Sequence, residues 1–74
     1  MDERLVQAVQ QTEQAYSRNP PPEVDVGTLL IYNIRSMNLP DGTFTEGDIM
    51  RAGLAAGISE DELSEFVETF VALY

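Results

Sequence analysis

The chain has 74 residues, and its thirteen acidic and four basic side chains give a net charge of −9. That length holds one domain, of a size that buries only about 60% of the surface its unfolded chain exposes. The absence of cysteine and histidine excludes disulfides, thiolate metal sites, the commonest zinc ligand and the commonest general base.

All four basic residues are arginine (Arg4, Arg18, Arg35 and Arg51), too few to neutralise a nucleic-acid backbone or to hold an anionic membrane surface. The longest apolar run, Leu29-Leu30-Ile31-Tyr32, is far short of the ~20 residues that span a bilayer. Met1-Asp2-Glu3-Arg4 has neither the basic start nor the apolar stretch of a signal peptide. Small secreted domains usually carry disulfides, so the sequence predicts a cytoplasmic protein.

Along the chain, Leu5, Val6, Val9, Thr12 and Tyr16 recur at helical spacing, with Gln7, Gln10, Gln11 and Gln14 on the other face. This predicts a helix over about 2–17 whose narrow apolar stripe docks it without full enclosure. Three consecutive prolines, Pro20-Pro21-Pro22, cannot continue a helix. They make 19–24 a stiff spacer, with no basic-flanked PxxP core to mark it as a ligand motif.

Val26, Leu29, Leu30, Ile34 and Met37 repeat at three- and four-residue steps. The Leu29–Tyr32 run also suits a buried strand, but Asp25 as a cap and Asn38 before Leu39-Pro40 as a stop favour a helix over 26–38. Pro40-Asp41-Gly42-Thr43 reads as a turn, with proline presetting φ and glycine supplying a positive φ.

The C-terminal part carries two helix-start devices, 14 residues apart. Thr45 to Asp48 reads as a capping box stapled by Phe44 and Ile49, and Ser59 to Glu62 as a second stapled by Ile58 and Leu63. Helices over about 46–56 and 60–73 follow, with Gly57 closing the first in a left-handed conformation. The last places Leu63, Phe66, Val67, Phe70, Val71 and Tyr74 on one apolar face. The predicted fold is all-α: a small bundle of about four helices, the last two joined by a tight glycine turn with helix-turn-helix-like geometry. It is one domain over 1–74, with an N-terminal helix over 1–18, a proline-rich linker over 19–24 and a compact unit over 25–74. The first helix either packs back onto that unit or joins a second chain.

Chemistry is sparse. Asp41-Gly42-Thr43-Phe44-Thr45 lies between two helices and resembles part of an EF-hand loop, a resemblance that covers about twelve residues. It would put Asp41, Thr43, Thr45 and Asp48 on ligand positions, but Met37 and Leu39 then occupy the first two, which need oxygen donors. Thr43, Thr45, Ser59 and Ser64 have no histidine or lysine to activate them. No catalytic residue, metal or cofactor is expected.

The remaining signal is the charge skew. Residues 41–74 hold eight acids and Arg51, for −7, whereas residues 1–40 hold five acids and three arginines, for −2. An acidic face can simply keep a small protein soluble. It can also steer the protein to a basic partner surface. In size and charge the chain is similar to small acidic phage-type inhibitors, anti-CRISPR proteins and nucleic-acid mimics among them. The expected function is therefore a non-enzymatic adaptor or inhibitor. It would bind a protein through Glu60, Asp61, Glu65, Glu68 and Tyr74, with no direct nucleic-acid or membrane partner. Two alternatives remain: an oligomerisation module, such as a homodimer using the apolar stripe, and a helix-turn-helix regulator, which the acids on the last helix disfavour.

Overall fold

A computed structural model describes residues 3–18, 24–39 and 44–73, with side chains as far as Val71. It holds four helices: α1 (Glu3–Arg18), α2 (Val26–Ser36), α3 (Glu46–Ala55) and α4 (Glu60–Leu73). The all-α class expected from the sequence is the one observed, and Leu29–Tyr32 is helical. α1 and α4 each lie against both α2 and α3, but not against each other at backbone distance, so the four helices form a ring around one core. The Cα radius of gyration is 10.8 Å, against about 11 Å for a fully packed domain of this length.

The core draws on every element: Leu5, Ala8 and Val9 from α1, Leu30 and Ile34 from α2, Ile49 and Ala52 from α3, and Leu63, Phe66 and Phe70 from α4. α1 is seated more deeply than its narrow stripe suggests. Ala8 is fully buried, whereas Val6 and Tyr16 are only half-buried. A methyl side chain at position 8 lets the backbone of α1 approach its neighbours closely. Thr12 is also fully buried, and its polar group is satisfied twice. Its hydroxyl donates to the Ala8 carbonyl at 2.7 Å and accepts from Asn33 Nδ2 at 2.8 Å, tying α1 to α2.

The ends of the helices follow local chemistry. Asp25 caps α2 by accepting from the Thr28 N–H at 2.8 Å. α2 ends at Ser36, two residues before the predicted 38, because Asn38 takes a left-handed conformation, φ 57°. The Leu39 N–H then reaches back to the Ile34 carbonyl and the Asn38 N–H to Arg35, so the carbonyls of the last turn are satisfied and Leu39 is delivered to the core. The same device closes α3: Gly57 sits at φ 88°, Ile58 N–H bonds Gly53 O and Gly57 N–H bonds Leu54 O. Ile58 is buried as Leu39 is. The proline stretch 19–23 and the turn residues Pro40 to Thr43 lie outside the described residues.

The box at α3 is complete, with Thr45 Oγ1 accepting from the Asp48 N–H and Asp48 Oδ2 accepting from the Thr45 N–H at 2.9 Å. At α4 the described bonds contain the forward half, Glu62 N–H to Ser59 Oγ at 3.3 Å. The Thr45 backbone donor, then its hydroxyl, and to a lesser degree Arg51, hold the Asp48 carboxyl below its ordinary value of 3.8. A carboxyl depressed by folding stabilises above its unfolded pKa, and that contribution is lost as pH falls through the folded value. The melting-temperature gap between wild type and Asp48→Ala is therefore expected to be full at neutral pH. It should narrow once the pH drops below 3.8. A thermal-melt series across that range checks this, and a constant gap would contradict it.

Candidate functional site

α4 turns most of its predicted apolar face inward, but Val71, expected on that face, is 58% exposed, because it lies at the edge of the stripe about 100° round the helix from Phe70. Leu63, Phe66 and Phe70 are buried, at 0%, 3% and 3% exposure, so the two phenylalanines belong to the core. At about 100° per residue, Asp61 and Glu68 fall within about 20° of one another and roughly opposite Phe70. Glu60 lies on one flank, and Glu62 and Glu65 on the other. All five carboxylates are exposed. Of the predicted binding residues, Glu60, Asp61, Glu65 and Glu68 thus share the outer side of α4, while Tyr74 lies outside the described residues.

Part of this acid has a structural reason. Glu60, Asp61 and Glu62 occupy the first turn, where the helix dipole favours negative charge by about 0.3–1 kcal/mol each. That effect fades within one turn, so Glu65 and Glu68 are not accounted for by it. Arg51, the only basic residue of the C-terminal part, is engaged by Asp48 within α3. It does not neutralise α4.

The structure also brings together residues that the sequence kept apart. A cleft of ≈ 190 Å³ is lined by Glu13, Tyr16 and Ser17 of α1, Val26 of α2, and Glu62, Glu65 and Phe66 of α4. Ser17 Oγ donates to Glu13 Oε1 at 3.1 Å, orienting that carboxylate. Of the predicted set only Glu65 lines the cleft. Glu62 reads from sequence as a capping residue and Tyr16 as a stripe residue. Their convergence depends on how α1 and α4 face each other across the end of α2, for which no local signal exists.

A second surface lies on α2. Tyr32 is 70% exposed and stands between two shallow clefts, one bounded by Thr28, Ile31 and Arg35 and the other by Val24, Thr28 and Leu29. No carboxylate occurs within this helix.

The hydroxyls considered as nucleophiles are occupied locally. Thr45 and Ser59 cap helices, and Ser64 Oγ donates to the Glu60 carbonyl at 3.1 Å. Thr43 lies outside the described residues. No group of three or more acidic side chains among the described residues converges as a metal site, and no described helix is long and apolar enough to cross a membrane. Comparison with known proteins gives no match: no family model, curated protein or solved structure is similar to this chain.

Proposed function

We propose that this chain is a non-enzymatic binding module, an adaptor or inhibitor, that engages a basic protein surface through the outer side of α4. The observation that carries the reading is the row of exposed carboxylates from Glu60 to Glu68, of which Glu65 and Glu68 have no part in capping the helix. Rim charges of this kind act mainly on the rate of encounter and on specificity. The likeness in size and charge to anti-CRISPR and other phage-type inhibitors accords with this reading. So does the helix-turn-helix comparison, since a groove-reading α4 would present carboxylates to phosphates.

Charge reversal at Glu60, Asp61, Glu65 and Glu68 tests it. Four acid-to-lysine changes add eight charges and bring the net from −9 to −1. With a partner recovered by pull-down from the source cell, association at low salt should slow by about tenfold or more and lose most of its salt dependence. Binding to a bare oligonucleotide should be absent near physiological salt. An unchanged association rate for the reversed protein would rule out this face.

One observation favours a second reading, self-association. Most of the α4 stripe proposed for it, Leu63, Phe66 and Phe70, is buried in the chain's own core, and of its described residues Val71 stays exposed. The Tyr32 ridge on α2 is exposed and carries no acidic side chain. A strict monomer by sedimentation at micromolar concentration removes this reading, and a tight dimer makes it the better account.

A further inference from the structure

We infer that the cleft between α1 and α4 receives a single arginine side chain of the partner, an inference that rests on the acidic-face reading and locates its anchor. The cleft has three properties that together specify its occupant. Its floor is apolar, formed by buried Val26 and Phe66, with half-buried Tyr16 as a wall. Its rim is acidic, formed by Glu13, Glu62 and Glu65. Its volume of ≈ 190 Å³ is below the roughly 300 Å³ at which small-molecule pockets begin, and suits one long side chain.

A bare cation does not match this shape, because the carboxylates are spread around the mouth and do not converge as metal ligands. An arginine matches each part. Its methylene stem lies along apolar surface while its charged head stays at the rim. Its planar guanidinium offers five donors, enough for more than one carboxylate, and its face stacks on an aromatic ring such as Tyr16. Lysine carries the same charge as a compact, more strongly hydrated ammonium and gains less from a wide acidic mouth with an aromatic wall. Arginine is also among the residues that anchor protein interfaces most strongly.

Two charge-matched variants of the full chain separate this anchor from general attraction: Glu62→Gln with Glu65→Gln inside the cleft, and Asp61→Asn with Glu68→Gln outside it. The probes are the capped tripeptides Gly-Arg-Gly and Gly-Lys-Gly, followed by amide and aromatic chemical shifts. Saturable shifts centred on Tyr16, Val26 and Phe66 are expected in the wild type, with the arginine peptide about threefold tighter than the lysine one. The cleft variant should weaken the arginine peptide by about tenfold, and the outer variant by less than twofold. Equal weakening by both variants, or a larger effect of the outer one, overturns the cleft while leaving the acidic face standing. Absence of any saturable response overturns the cleft as well. The acidic-face reading fails separately, when four-site charge reversal leaves association with the partner unchanged.

Discussion

Replacing Gly27 by alanine should lower the melting temperature by roughly 5–15 °C, although alanine is the better helix former. A Cβ at position 27 would stand 2.1 Å from Thr69 Cβ, 2.7 Å from Thr69 Cγ2 and 3.0 Å from the Phe70 backbone nitrogen. Neither Thr69 Cβ nor a backbone atom can move by rotating a side chain, so α2 and α4 must separate where they meet. Overpacking of this kind costs about 1–3 kcal/mol and occasionally more. The helix-propensity gain of up to about 1 kcal/mol offsets it in part. The whole stability of a 74-residue domain is about 4–11 kcal/mol, so the loss is a large share of it. The identity of the clashing atom gives a sharper check. Thr69→Ala removes Cγ2 but leaves Cβ in place, so it should rescue Gly27→Ala only weakly. Thr69→Gly removes Cβ and should relieve the clash, at its own cost to the helix. Thermal denaturation followed by circular dichroism reads all four proteins. A melting temperature for Gly27→Ala equal to or above wild type would show that the helices are not in contact at this point.

That contact marks where the sequence stops being informative about the fold. The starts and stops of the helices are set by neighbours within five residues, and these are legible. Asp25, Thr45, Asp48 and Ser59 cap as their positions imply, and Gly57 takes the positive φ that closes α3. α2 ends two residues before the predicted 38 because Asn38, read as the stop, takes the left-handed conformation that asparagine tolerates and so lies beyond the last helical turn. Pairings between helices have no such local signature. Gly27 reads as an unremarked residue near a helix start, and Ala8 as neither core nor surface, until the partner helix is placed beside them. The first helix illustrates the same limit: its stripe announces an amphipathic helix, whereas the depth of its burial depends on α2 and α3.

The candidate surface divides along the same line. The acids of α4 are consecutive enough in sequence that periodicity alone turns Asp61 and Glu68 outward and Leu63, Phe66 and Phe70 inward. The acidic cleft combines Glu13 with Glu62 and Glu65 across about fifty residues of chain, and only the ring of helices brings them together. The readings of Glu62 as a capping residue and of Tyr16 as a stripe residue give no hint that both line the cleft. Composition gives the sign of the chain's own charge, −9; the fold selects which carboxylates sit beside an apolar floor.

The contact between α3 and α4 carries the other large effect, and it should change sign with its background. Leu63 is fully buried, and truncation to alanine should cost about 2–5 kcal/mol through lost transfer energy and the cavity left behind. A Cβ on Gly53 would lie 2.0 Å from Leu63 Cδ2, 2.8 Å from Cδ1 and 2.9 Å from Cγ. In the wild type, Gly53→Ala forces a fully enclosed side chain out of its place, at about 1–3 kcal/mol against a propensity gain of up to about 1. All three conflicting atoms disappear in Leu63→Ala. In that background the new methyl partly fills the cavity and the propensity gain stands unopposed. Gly53→Ala should therefore destabilise the wild type yet stabilise Leu63→Ala. The double mutant would then be more stable than Leu63→Ala alone, with a coupling energy in the range of about 0.5–3 kcal/mol found for residues in contact. Urea unfolding of the four proteins measures the cycle. Additive costs would mean that Leu63 can yield to a methyl at position 53, and that α3 and α4 are not locked together at this glycine.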